Sequence, residues 1–195
     1  MNRKPQFLPV LIALLLGLTG TGMAQKTEYQ VDTKAKNNVK FISTAPIEDF
    51  EGVTNRIDGY LIHDGDKLTA DSELYFEVDL RTLDTGIGLR NRHMREDYLH
   101  TDKYPHAKYS GRITKLWKSA KGTEVMVSGS MDIHGKKKRL DVRGILTPTS
   151  GGLRIQTRFE VKLTDHDIEV PKLMFVKISE VMKLELDFRL KRVKG

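Results

Sequence analysis

The stretch EVMVSGSMDIHGKKKRLDVRGIL, residues 124–146, decides the fold. Val125, Val127, Gly129, Met131 and Ile133 alternate with Glu124, Met126, Ser128, Ser130 and Asp132. After a short polar turn, Leu140, Val142, Gly144 and Leu146 alternate with Arg139, Asp141 and Arg143. A period of two marks a strand with one apolar and one wet face, because successive side chains leave a strand on opposite sides. A two-residue turn at Gly135-Lys136 would pair Met131 with Leu140, Gly129 with Val142 and Val127 with Gly144. Every such pair joins two inward residues, so the register keeps one face dry.

The same alternation extends outward from this hairpin. Leu74–Leu80, Phe159–Leu163 and Leu184–Leu190 repeat it, and weaker strands are expected at Tyr29–Asp32, Val39–Ser43, Asn55–His63 and Ala107–Trp117. A turn at Ser150-Gly151 pairs Leu146 with Ile155 and Val142 with Phe159, again inward with inward. About eight half-wet strands in a meander bury their dry faces most economically by curling into a closed antiparallel barrel. A two-sheet sandwich is the competing architecture. Two segments break the pattern. Ile87–Leu99 has Met94 and Tyr98 four apart and predicts a short helix. Asp165–Met182 is too long for a tight turn and carries Ile168, Val170, Leu173, Met174, Phe175 and Val176 around Pro171. A connection this apolar is expected to cover something apolar.

The chain has 195 residues, a formal net charge of +7 and no cysteine. Disulfides, thiolate nucleophiles and Cys-ligated metals are therefore excluded. Residues 1–24 read as a cleaved secretory signal: Arg3 and Lys4, the apolar run Phe7–Leu18, then Gly22-Met23-Ala24 before Gln25. Residues 25–195 form the expected mature domain, periplasmic or secreted.

Beyond strand periodicity, several motifs point to one family. They are Val78-Asp79 through Thr82-Leu83-Asp84-Thr85, Arg90-Asn91-Arg92-His93-Met94-Arg95, Tyr98-Leu99, Lys103-Tyr104-Pro105, Gly129–Gly135 with the strand Lys136–Val142, and Leu163–Ile168. Over about residues 29–192 the chain resembles the YceI-like family of exported, lipocalin-like barrels, often called polyisoprenoid-binding. One departure concerns the late Asp165…Ile168 turn. There the family has an aromatic residue and then glycine, and this chain has His166 and Asp167. The resemblance implies an all-β, eight-stranded, closed antiparallel lipocalin-like barrel with a short helix. It also implies an apolar lumen that holds a long-chain isoprenoid or acyl lipid, with no cofactor and no known chemistry.

The lumen wall expected from the inward positions comprises Phe41, Phe76, Val78, Tyr109, Met131, Val142, Phe159, Val161, Leu186 and Phe188. The small inward residues Ala107, Gly111, Gly129 and Gly144 signal either room for a ligand or bends in a coiled sheet. The alternative is a filled core serving a protein-interaction or envelope-stress role. Arg90, Arg92, His93 and Arg95 are candidates for a polar head group, since guanidinium suits phosphate and carboxylate. The alternative for them is a solvated helix face paired with Glu96 and Asp97.

No catalytic motif or metal-ligand spacing stands out, so the chain is read as a non-enzyme that needs no metal. Lys136–Arg139 lacks interleaved aromatics and is read as a solvated turn, with no nucleic-acid partner. Transient contact with a membrane surface and a homodimer are left open.

Overall fold

The computed structural model describes residues 26–45, 49–65, 67–173 and 176–193. The expected signal segment and its cleavage point lie outside the described residues, as do Met174 and Phe175 of the apolar connection.

In chain order the strands are β1 (Lys26–Val31), β2 (Asn38–Ser43), β3 (Phe50–Thr54), β4 (Ile57–Asp64), β5 (Glu73–Asp79), β6 (His106–Ser119), β7 (Gly122–Ile133), β8 (Lys136–Thr149), β9 (Gly152–Lys162), β10 (Lys172–Leu173), β11 (Val176–Lys177) and β12 (Val181–Arg192). Helix α1 (Gly88–His93) follows β5 and runs into a π-helical turn at Met94–Tyr98. The predicted helix over Ile87–Leu99 is thus present, with its second half wound one residue wider.

The wall runs β1-β4-β5-β6-β7-β8-β9-β12, and β12 returns to β1, which closes it. β12 changes partner along its length. Its first half pairs with β2, Met182 opposite Ser43, and its last residues pair with β1, Leu190 opposite Val31. Residues 26–43 are therefore one wall position interrupted at 32–37. Likewise β3 and β4 are one position interrupted at 55–56, since β3 pairs with β2 and β4 with β1. The result is a closed, eight-position antiparallel barrel, and closure excludes the sandwich. Asn37 ties the first interruption to the wall: its Nδ2 donates to Asp32 O (3.0 Å) and its Oδ1 accepts from Arg189 N (3.0 Å).

The β7–β8 turn sits one residue earlier than expected, which shifts the pairing register by two. Ile133 faces Lys136, so His134-Gly135 is the turn, and Met131 pairs with Lys138, Gly129 with Leu140 and Val127 with Val142. His134 (φ 55°) and Gly135 (φ 73°) are both left-handed, as a type I′ turn requires. A side chain at Gly135 would also meet the Tyr104 ring, 2.7 Å from its Cε1. A slip of two preserves the inward face, so the pattern survives the error. The β8–β9 turn is as expected, with Leu146 opposite Ile155; that ladder runs as far as Gly144 opposite Thr157. Sequence reading began β4 near Asn55 and missed β3, whose five residues end at the interruption.

The interior is densest at the end remote from α1. Leu61 and Ile113 are fully buried there among Val31, Leu74, Val125, Leu146, Ile155 and Leu190. Phe188 is 1% exposed and meets Phe76 edge to face, ring centroids 5.0 Å apart.

Candidate functional site

Antiparallel order puts the β2–β3 connection, the 80–105 segment, the β7–β8 turn and the 163–180 connection at one end of the barrel. Between them lies the mouth of a lumen of about 530 Å³. All ten residues expected on the lumen wall line it, from Phe159, Val161 and Met131 down to Phe76 and Phe188. Of the four expected head-group residues, Arg90 and His93 line the lumen; Arg92 and Arg95 do not. Arg92 is exposed, and Arg95 Nη1 donates to Arg81 O at 2.9 Å.

Of the small inward residues, Ala107 lines the lumen, and the glycines divide into two kinds. A Cβ at Gly129 would sit 2.5 Å from Ser110 O and 2.7 Å from the Tyr109 ring, so this glycine is the bed on which Tyr109 lies. At Gly111 a Cβ would sit 2.8 Å from Ser128 O. Only at Gly144, which lines the lumen, would a Cβ find ordinary contacts, the nearest being Val125 Cγ2 at 3.6 Å. Room at the inward glycines is therefore confined to Gly144.

Among the described residues, the deep lumen offers hydrocarbon contacts and no available polar group. Tyr109 donates its hydroxyl to Leu140 O (2.8 Å), and burial pushes its pKa well above the ordinary tyrosine range. Thr157 donates to Arg143 O (2.8 Å). The remaining polar lining residues, Arg90, His93, Tyr98 and Lys172, belong to the segments at the mouth.

A hydrogen-bonded rivet fixes the cap that carries Arg90. Asn91 Oδ1 accepts from Thr85 N (2.8 Å) and Thr85 Oγ1 (2.7 Å), while its Nδ2 donates to Asp84 Oδ1 (2.7 Å). Asp84 also accepts from Gly86 N (2.8 Å), and its backbone bridges to Val53 of β3. Asn91 first and Gly86 second hold the Asp84 carboxyl below its usual range. Arg90 then spends Nε and one Nη2 hydrogen on Thr85, and its guanidinium lies 4.5 Å over the Phe50 ring. Its Nη1 makes no hydrogen bond among the described residues. The motif Asp84-Thr85…Arg90-Asn91 is thus first a scaffold that aims one arginine at the mouth.

The His166-Asp167 departure is also explained. His166 is buried and its Nδ1 lies 2.8 Å from Lys136 O. Asp167 takes φ 53°, the left-handed conformation that glycine adopts freely, and pairs with Lys136 Nζ at 2.7 Å. Two contacts to β8 hold what a glycine would allow without help. Beside them, His100 Nδ1 lies 2.7 Å from His134 Nε2.

Sequence reasoning missed Phe50, Ile87, Leu89 and Leu99 among the lining residues. Ile87 and Leu89 stand beside glycines in a non-periodic segment, where no alternation marks an inward face. Among the described residues, no group of three or more acidic, histidine or cysteine side chains could hold a metal.

A closed barrel with an apolar lumen, its available polar groups gathered at the mouth, defines the class of cavity-bearing β-barrels. The chain belongs to the YceI-like family, whose domain matches residues 29–190. It is 30% identical over 174 residues to a UPF0312 protein of Vibrio parahaemolyticus, covering 84% of this chain and 86% of the relative. BcnA of Burkholderia cenocepacia superposes with a TM-score of 0.68 at 18% identity, over 84% of this chain and 99% of that one. A polyisoprenoid binding domain from Saccharophagus degradans, described as implicated in plant cell wall breakdown, gives 0.64 at 19% identity, over 85% and 98%. Both superpositions extend the likeness to the barrel fold.

Proposed function

We propose that this protein binds the hydrocarbon tail of one amphiphilic lipid in its lumen, with an anionic head group at Arg90 and His93. The observation that carries the reading is the segregation of polarity: every free polar group lining the lumen belongs to the mouth. An engineered apolar cavity of about 150 Å³ takes one benzene, about 25 Å³ per carbon. At that density the 530 Å³ lumen accepts a tail of about 20 carbons. Each buried methylene contributes about 0.8 kcal/mol before the cost of ordering the chain. A longer polyprenyl chain would leave its remainder at the apolar mouth. The polyisoprenoid binding domain of Saccharophagus degradans supports a prenyl tail, and the lining residues accept an acyl chain equally. The protein would then act in the periplasm or outside the cell, where it carries, stores or sequesters its lipid. Arg3 and Lys4, the apolar run Phe7–Leu18 and the small residues Gly22 and Ala24 support export.

Native mass spectrometry before and after organic extraction tests the binding. One bound amphiphile is expected, with uptake of polyprenyl or fatty-acyl probes after extraction. A protein that is purified empty and takes up neither probe refutes the proposal. N-terminal sequencing of the exported form checks the location, with Gln25 expected first.

A further inference from the structure

We infer that the segment Gly86–Arg95 is a membrane-docking tip that sets the mouth of the barrel on an anionic bilayer. The inference rests on the lipid-binding reading and names where the lipid is exchanged.

Ile87 is 52% exposed and Leu89 is 56% exposed, the two most exposed large apolar side chains among the described residues. Both also line the lumen. The apolar lining therefore reaches from the interior to the outer surface at this point, beside Arg90 and His93. The tip stands clear of the barrel: a Cβ placed on Gly86 or on Gly88, the neighbours of Ile87, would find no atom within 4 Å. It is nevertheless held firmly, because the Asn91–Thr85–Asp84 hydrogen bonds lie directly behind it. A fixed, protruding apolar pair is a costly surface to leave in water unless something covers it.

Charge selects the occupant. Residues 86–95 read GIGLRNRHMR, with three arginines and no acid; the first acidic residues downstream are Glu96 and Asp97. Arg92 is exposed, lies outside the lumen and makes no hydrogen bond or ion pair among the described residues. Apolar side chains beside basic ones match the interface of an anionic bilayer, where the apolar groups enter the acyl boundary and the cations meet the head groups. A bilayer is also where a long hydrocarbon tail resides before it is bound. Docking there lets the tail pass into the lumen without crossing water.

The test uses the full mature chain and three arms. The first is co-sedimentation with vesicles of neutral phosphatidylcholine, with and without anionic phosphatidylglycerol. The wild type is expected on the anionic vesicles, weakened by added salt. The pair Ile87→Ser and Leu89→Ser should weaken binding about tenfold. Arg92→Glu should weaken it on anionic vesicles only. Thermal melts equal to wild type show that the variants fold. The second arm follows transfer of a fluorescent lipid between vesicles, whose rate should rise with acceptor concentration in the wild type and level off in Arg92→Glu. The third measures uptake of a detergent-dispersed polyprenyl probe, which Arg92→Glu should leave intact. Wild-type protein that takes up the dispersed probe but ignores both kinds of vesicle overturns the docking inference while leaving lipid binding in place. So do tip variants that bind vesicles as well as wild type, or a tip that captures a protein and no vesicle. Failure of dispersed-probe uptake instead refutes the lumen reading itself.

Discussion

Gly144 of β8 is the position at which the lumen can be shortened without disturbing its wall. A Cβ there meets Val125 Cγ2 at 3.6 Å and Gln156 O at 3.7 Å, both ordinary contacts, and the position lines the lumen. Gly144→Leu adds four carbons to that space. At about 25 Å³ per carbon they occupy roughly 100 Å³, near a fifth of the 530 Å³ lumen. A tail of about 20 carbons must then leave about four of them outside, at about 0.8 kcal/mol each. Its affinity should fall by about 3 kcal/mol, roughly a hundredfold, while a tail of about 16 carbons binds as before. Competition of a graded series of fatty-acyl or prenyl probes against a fluorescent ligand reads the shift. The fold should hold or gain, because a strand glycine is replaced by a residue with better packing. Gly129→Ala is the matched control: its Cβ would sit 2.5 Å from Ser110 O and against Tyr109, so it should lower the melting temperature. An unchanged chain-length profile in a folded Gly144→Leu protein would refute the account of the lumen.

Asn91→Ala removes three hydrogen bonds around two buried residues, so the cap should loosen at a cost of about 1–3 kcal/mol; faster amide exchange over residues 85–99 is the expected readout. Phe188→Ala removes a buried ring that meets Phe76 edge to face on the lumen wall and should cost about 3–5 kcal/mol, measured by guanidinium unfolding. Asp187 is held below its usual range by the Arg154 hydrogen bond, and Asp84 by Asn91. A carboxyl depressed by folding stabilises the protein above its unfolded value of 3.8, and that contribution is lost as the pH falls through the lower folded value. Melting temperatures should therefore fall as the pH is lowered below about 4, and fall less in Asp187→Asn.

Much of this barrel is legible in its alternation, and the reason is parity. A strand's inward set is fixed by odd or even position, so the two-residue register shift at His134-Gly135 left every lumen assignment in place. All ten expected wall residues came from this rule. What it could not reach lies where the period fails. β3 is cut from β4 at residues 55–56, and its pairing with β2 is set by the fold rather than by local pattern. The roles of Arg90 and Arg92 look alike in the sequence, yet Thr85 and Phe50 hold one at the lumen while the other faces water. Gly129 and Gly144 are equally inward, and the close approach of Ser110 O and the Tyr109 ring makes the first a bed while the second stays a space.

The double partnership of β12 also decides how the protein must assemble. Every other ladder of the barrel joins strands near in sequence, but β12 joins the chain's two ends, with Tyr29 opposite Arg192 and Leu184 opposite Phe41. Contacts that span so much chain form late, because a long loop must be closed before they reward it. Until then β1, β2 and β9 each present an open edge, the condition under which sheets pair with other molecules. Truncation before Val181 would therefore free three edges at once. The last twelve-residue strand is the clasp that turns a sticky ribbon into a sealed vessel.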